Sequence, residues 1–497
     1  MAKRGSITVF LALILSIILS LVCASIESVR MASDRTQILN GMDIGLYSLF
    51  GQYDRKMLED YDLFALDGSF GAGELNLASV YDNMESYMSP ILKQNSQKLS
   101  IEQGGFTGYR LLTDENGKVF YQQIVQYMKE TLGSQGIQLL ISKMKDREKK
   151  VQEAEDAGKQ VESGKSLDSY DSEMNHAAQQ SQEAEEAAKS ENGANPGDGQ
   201  PDFGSGPPNP AEQQPVKNPI TVIRRIMKMG ILELVIPQGK GISTNETAKN
   251  NLVTGRNLQQ GLSMPDGMTT DDGYDAQLLY QQYLMSKLGN YRKQAAGGLR
   301  YQIEYILTGK DNDIDNLKSV ANKLLLVREG VNFAALAADS GKRAQAEALA
   351  LAIASGFLIP PAATAITAAL MLCWSFAESI LEVRELFDGG KVPLVKTGTD
   401  WQISLENLPN LLEGLDSVRR GSDKGMSYED YLQVFLVALN KNNKVMRAMD
   451  MVELTIRTAG GRPGFKLDSC ITAIEASVDV KANKKKVFTV TKQYCYG

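Results

Sequence analysis

The chain has 497 residues, with 53 Lys and Arg against 60 Asp and Glu, a net charge of −7 and one histidine. This acidity counts against nucleic acid as a partner, because phosphate contacts need clustered cations. The lone His176, set in a polar Gln/Glu/Ala stretch, excludes multi-histidine zinc sites and nearly all Ser-His-Asp and Cys-His catalysis.

Residues 1–5 form a basic cytoplasmic leader with Lys3 and Arg4, and no further charge occurs before Glu27. The run from Ser6 to Ile26 would be about 30 Å long as a helix, the thickness of a bilayer core. It predicts a transmembrane anchor over 6–27, with Ile7, Phe10, Leu13, Ile17 and Leu21 among the residues meeting the lipid bilayer. Basic residues ahead of the span place the amino terminus in the cytoplasm and the body outside the cell membrane. Val22-Cys23-Ala24 also fits a cleaved secretory signal loosely, whereas a lipoprotein would need a small residue before Cys23. Beyond the span, Val29, Ile38, Leu39, Met42, Leu46, Leu49 and Phe50 recur at helical spacing. That continuation favours a retained anchor leading into a helical stalk.

Gly5, the following Ser-Ile-Thr-Val and the apolar helix resemble the pilin-like start of TadE/TadG-type proteins. Those are membrane-anchored accessory subunits of tight-adherence (Tad) pilus systems. The resemblance marks Gly5 and Ser6 as a candidate processing site, although Phe10 stands where pilin-like segments carry Glu. Ser48 to Asp67, Tyr109 to Gly117, Gly390 to Leu394 and Ser427 to Leu432 resemble an uncharacterised family of Gram-positive envelope proteins encoded near Tad-type secretion genes. What this implies is pilin-like or secretion-apparatus subunits as partners and a homo-oligomer through the N-terminal helix. It implies no assigned activity.

The stalk and first part of the body span 28–142. They contain a Gly-rich turn over Asp67–Gly73, helical runs, a strand-turn signalled by Asp114-Glu-Asn-Gly117, and a helix at Tyr121–Met128. Residues 143–219 read as a charged helix with i,i+4 pairs such as Glu155/Lys159, then a linker too poor in apolar residues to fold. A helical domain follows over 220–465. It opens with a helix at Ile220–Met229 and an apolar run from Ile231 that ends at Pro237, and it continues with a long Tyr-rich helical stretch over Asp275–Thr308. Ala348 to Ala377 carries no charge and is split by Pro360-Pro361, so an Ala-rich helical hairpin over 343–387 is expected before a second membrane span. Trp374, Phe376, Ile380 and Leu381 then belong to the core, and Ser427 caps the next helix.

Residues 466–497 alternate as a β-hairpin, Cys470–Val480 with Lys485–Cys495. With Ala482-Asn483 as a two-residue turn, facing residues sum to 965, so Val478 opposes Val487. Cys470 then opposes Cys495 within disulfide range, and two reduced cysteines are the alternative. Asp311–Asp315 fails as a calcium loop at Asn316 and Asn322, leaving Asp313 or Asp315 as helix caps. No catalytic, cofactor-binding or metal-ligating residue stands out, and no cofactor is expected.

The fold class read from these features is mainly α: an N-terminal transmembrane helix continuing into a stalk, an extracytoplasmic helical domain, and small β elements with a C-terminal hairpin. The expected function is a non-enzymatic assembly component of a Tad-like pilus or type II-like secretion apparatus. A carboxylate-based glycan hydrolase and a multi-pass membrane component are the alternatives.

Overall fold

A computed structural model describes residues 3–94, 99–161, 218–262, 264, 271–356, 362–397, 400–415, 425–482 and 486–496, with parts of 167–183. The linker expected over 191–219 thus lies outside the described residues up to 217. The protein is mainly helical, with a long apolar N-terminal helix and a small antiparallel sheet near the carboxyl end. It divides into two compact units that alternate along the chain. The first holds 1–133, 248–283 and 441–497; the second holds 134–247 and 284–440.

In chain order the elements begin with α1 (Lys3–Phe50), α2 (Arg55–Tyr61), β1 (Leu66–Asp67), α3 (Leu77–Lys93), β2 (Ser100–Leu111) and α4 (Asp114–Val161). Next come α5 (Pro219–Met227), α6 (Ile231–Val235), α7 (Tyr274–Lys287), α8 (Gln302–Thr308) and α9 (Asp313–Ala338). The last are α10 (Ser340–Gly356), α11 (Ala363–Asp388), α12 (Tyr428–Ala438), α13 (Lys441–Thr458), β3 (Cys470–Ala482) and β4 (Lys486–Cys495). The charged helix expected from 143 is the end of α4. Its backbone leaves helical geometry at Gly133 (φ 63°, ψ 174°), at the limit of the first unit.

In the first unit, the carboxyl half of α1 buries Ile38, Met42, Leu46 and Leu49 against Met84, Met88 and Leu92 of α3 and the inner face of the sheet. Each such side chain contributes roughly 1.5–3 kcal/mol on burial. The two helices approach closely because α1 presents glycine there: a Cβ at Gly45 would lie 3.1 Å from the Met84 carbonyl oxygen. In the sheet, β3 is central, with β2 along one edge, β4 along the other, and β1 paired to its first residues. Ile474, Ala476, Val478 and Val480 point to the core, and Glu475, Ser477, Asp479 and Lys481 alternate with them. The turn read at Asp114–Gly117 is present, with left-handed backbone at Glu115, Asn116 and Gly117. Asp114 holds it by accepting from the Leu111 N–H at 2.7 Å and the Gly261 N–H at 3.0 Å.

Ion pairs fasten the remaining segments of this unit. Arg256 donates to both oxygens of buried Glu453, at 2.6 and 2.7 Å, and to Asp468 at 2.5 Å. The neighbouring Thr254 N–H and hydroxyl donate to Asp450, so 254–256 is held against α13. Arg462 joins Asp54 and Asp67, tying the entrance of α2 to β1.

In the second unit α9 packs along α11, and α10 packs on α11 as the second arm of a helical hairpin. The apolar face of α11 is buried, including Trp374, Phe376, Ile380 and Leu381, as the hairpin reading expects. Ser427 caps α12 in a reciprocal box with Asp430: its hydroxyl accepts from the Asp430 N–H at 3.2 Å and its own N–H donates to the Asp430 carboxylate at 3.0 Å.

Two local expectations need correction. The Tyr-rich stretch is not one helix, because α7 ends at Lys287 and α8 begins at Gln302. Gly297 and Gly298 adopt positive φ between them, and Asn290 accepts from the Arg292 and Lys293 N–H groups to form a turn. At the start of α9 the cap is Asn312, which accepts from the Asp315 N–H at 2.7 Å. Asp313 is instead buried and accepts from Ser243 Oγ at 2.6 Å and from the Arg300 and Tyr301 N–H groups.

Candidate functional site

Between residues 7 and 26, α1 is apolar on every side and touches no core. Ile7, Phe10, Leu13, Ile17 and Leu21 are 58–65 % exposed, and Val9, Leu11, Leu15 and Leu19 are equally bare. A helix that buries one stripe would show charged residues opposite it, and this segment has no charged residue. Two of its serines satisfy themselves: Ser20 Oγ donates to the Ile17 carbonyl and Ser25 Oγ to the Leu21 carbonyl, both at 2.8 Å. Such internal closure removes the hydroxyl's need for water. The helix is therefore long and apolar enough to cross a membrane, as an anchor or a signal sequence would. Gly5 and Ser6 lie in the same helix, and Val22-Cys23-Ala24 lies in its interior.

A second helix passes the same length and hydropathy test, α11, but most of its apolar window is buried within its own unit. There it carries a cluster of charges that sequence reading missed. Arg328 of α9 forms a two-pronged pair with Glu382 of α11, at 2.8 and 2.9 Å, and also donates to the Pro393 carbonyl and the Tyr431 hydroxyl. Asn332, one turn beyond Arg328, donates to Glu382 at 2.7 Å. Lys396 is wholly buried and bridges Glu382, at 2.7 Å, to Glu378. Glu378 further accepts from the Gln402 and Ile403 N–H groups at 2.9–3.1 Å.

The two carboxylates are pushed in opposite directions. Burial raises Glu378 against the opposing pull of Lys396. Burial also works to raise Glu382, but Arg328 and Lys396 together reverse it and hold its carboxyl at about 2. Two cations and two anions leave the cluster neutral, and its hydrogen bonds clasp Lys396, Gln402 and Ile403 onto α11. The signal in the sequence is the i,i+4 pair Glu378/Glu382 on an apolar helix, answered by Arg328/Asn332 on α9.

A further acid, Glu304 of α8, is buried among tyrosines. Its Oε1 accepts from the Tyr428 hydroxyl at 2.6 Å and the Tyr291 N–H at 2.8 Å, while Oε2 meets no partner among the described residues. Burial pushes its pKa from the ordinary 4.5 up to about 7. The folded unit therefore keeps a proton that the unfolded chain has already released between these values. Stability of this unit should fall by about 3 kcal/mol as pH rises from 4.5 to 7, and Glu304→Gln should flatten that slope. Both tryptophans of the chain, Trp374 and Trp401, lie in this unit with ring centroids 5.5 Å apart, so tryptophan fluorescence in denaturant titrations reads it directly.

The proposed facing of Cys470 and Cys495 is overturned. Ala482 pairs with Lys486 and Ala473 with Cys495, so facing residues sum to 968 and Val478 opposes Val490. Strand β3 ends at Ala482 and β4 begins at Lys486, which excludes the two-residue turn, and Asn483 itself lies outside the described residues. The odd offset turns the two cysteines to opposite faces: Cys470 is buried near Met57, and Cys495 is exposed. The register follows the core, because this pairing turns Val490, Phe488 and Tyr494 inward. Acids from the adjacent pairs Glu59/Asp60 and Asp271/Asp272 are tied to lysines: Asp60 to Lys56, Asp271 to Lys129 and Asp272 to Lys441. No group of three or more metal-ligating side chains occurs among the described residues.

The family model described as "Family of unknown function (DUF5702)" matches residues 209–482, more than half the chain, and the chain belongs to that family. No curated protein and no solved structure matches it. The matched segment contains the ionic cluster, Glu304 and β3, and begins beyond the apolar part of α1.

Proposed function

We propose that this DUF5702 member is a membrane-anchored structural or assembly component of the cell envelope, with its two units outside the cytoplasm. It acts by binding other protein subunits, and the N-terminal resemblance makes pilin-like or secretion-apparatus subunits of a Tad-like system the partners of choice. The observation that carries this reading is the division of one helix. Residues 7–26 of α1 are exposed and apolar, and residues 38–50 of the same helix are core of the first unit. A retained anchor is thereby joined to the body without a joint, and Lys3 and Arg4 orient it amino terminus inward. A second crossing by α11 would strip that helix from α9 and α10 and carry Glu378 and Glu382 into lipid away from Arg328.

A carboxyl-terminal tag on intact spheroplasts tests this topology. The expected result is a tag that external protease removes, with the chain in the membrane fraction. A protected tag, or a chain recovered from the soluble cytoplasm, would overturn it.

A further inference from the structure

Three elements of the first unit have an end close to where the apolar half of α1 stops. The direction of α3 is read from its contacts: Gly45 of α1 lies against Met84, Gly41 against Met88 and Leu92, and Gln37 donates to the Ile91 carbonyl at 2.8 Å. As α1 is followed back toward its apolar half, α3 runs forward and ends at Lys93, just past the level of Gln37. Strand β4 keeps step with α1 in the same direction. Its Lys486 ammonium lies on the Met31 sulfur, its Lys492 pairs with Asp43 at 2.9 Å, and its Tyr494 packs on Phe50 at 4.8 Å. From Met31 to Asp43 the helix rises roughly 18 Å, and from Lys486 to Lys492 the strand rises about 20 Å, so the two lie alongside. The end of β3 shares the level of Lys486, since Lys481 faces Val487.

This end of the unit is basic, although the chain carries a net charge of −7. Among the described residues it holds Arg30, Arg35, Lys93, Lys481 and Lys486 against Glu27, Asp34 and Glu102. Two of those acids leave the surface charge unchanged or nearly so: Glu102 neutralises only Lys481, and Asp34 is turned into the core, 4 % exposed. Arg35, Lys93 and Lys486 are exposed and have no anionic partner among the described residues. Val29, 69 % exposed, and Val487, 48 % exposed, stand beside these cations. Apolar and basic side chains mixed in this way settle at a lipid interface.

On the anchor reading the hydrocarbon ends near Ile26. Arg30 and Met31 follow within five residues, roughly 6–8 Å along the axis, which is the depth of the headgroup layer. Lys486, on Met31, stands at that level, and Arg35 is one turn further along the same face of α1.

We propose that this end of the first unit docks onto anionic phospholipid headgroups beside its own anchor, through Arg30, Arg35, Lys93 and Lys486. The inference rests on the retained-anchor reading above and adds that the first unit is held against the bilayer instead of standing clear of it. Position selects lipid over a soluble polyanion, because the anchor fixes headgroups within reach of these side chains at a high effective concentration.

The test uses the full chain in nanodiscs of phosphatidylcholine alone or with about one-third phosphatidylglycerol. Acetylation of individual lysines by a water-soluble N-hydroxysuccinimide ester is followed by peptide mass spectrometry. Lys93 and Lys486 should react about fivefold more slowly in the anionic discs, and high salt should remove the difference. Lys466, which precedes the opposite end of β3, should react equally in both discs and serves as the internal reference. Arg35→Gln with Lys486→Gln alters only exposed side chains, so thermal stability should stay that of the parent. The double variant should nonetheless return most of the reactivity of Lys93, which mere nearness to a charged surface would not produce. Rates independent of disc composition, protection of Lys93 that survives in the double variant, or equal protection by soluble polyphosphate in phosphatidylcholine discs would each overturn the proposal. Such a failure in a chain that elutes with the discs leaves the anchor reading standing; a chain that elutes apart from them defeats both.

Discussion

Arg328→Met is expected to destabilise the second unit by about 3–5 kcal/mol, the cost of leaving a buried charge without its partner. Glu382 would keep Lys396 and Asn332 but lose both prongs of the guanidinium, and the Pro393 carbonyl and Tyr431 hydroxyl would lose a donor. With Glu382 less favoured as an anion, its pKa should climb from about 2, and acid resistance of the unit should shrink accordingly. The sign follows from the direction of the shift: a depressed carboxylate stabilises above its unfolded pKa and loses that contribution as pH falls. Denaturant titration followed by the two tryptophans would measure both effects. Arg328→Met combined with Glu382→Gln should cost less than the sum of the single changes, because the pair then leaves no orphaned charge. Strict additivity would show that the cluster does not act as a unit.

The second large effect concerns the apolar half of α1. Leu13→Arg with Ile17→Arg should abolish stable membrane association, since each arginine at the centre of a span costs about 3 kcal/mol. Carbonate-resistant recovery in the membrane fraction is the measurement. Leu13→Val with Ile17→Val should behave as the parent. Because Leu13 and Ile17 are exposed and outside the core cluster, tryptophan fluorescence of the arginine variant should remain native in whatever fraction it is found. Full retention of the arginine variant in carbonate-washed membranes would remove the anchor from the argument.

Much of the architecture could be read from local signals. The charge-free run before Glu27, the helical spacing from Ile38 to Phe50, the Asp114–Gly117 turn, the Ser427 cap and the Pro-split Ala-rich hairpin each depend on residues within one or two turns of one another. The misreadings have a shared origin. In the Tyr-rich stretch, paired glycines at 297 and 298 outweighed a helical spacing of aromatics. In the hairpin, the choice between registers was made by packing against α1, whose end at Phe50 lies far from Cys470 in the chain.

The candidate sites divide along the same line. Ile7, Phe10, Leu13, Ile17 and Leu21 needed no neighbour to be recognised, since an unbroken apolar run declares its solvent by composition alone. Glu378, Glu382, Arg328 and Lys396 are unremarkable charges until α9, α11 and the segment after α11 bring them within hydrogen-bond reach. By itself the sequence determined the mainly helical class, the long apolar helix and its length, because helix propensity, capping and hydropathy are local properties. Only the tertiary structure decided the strand register, the fate of Cys470 and Cys495, and the neutral ionic cluster. Those depend on which distant side chains share a core, and burial free energy is settled between segments that the sequence order keeps apart.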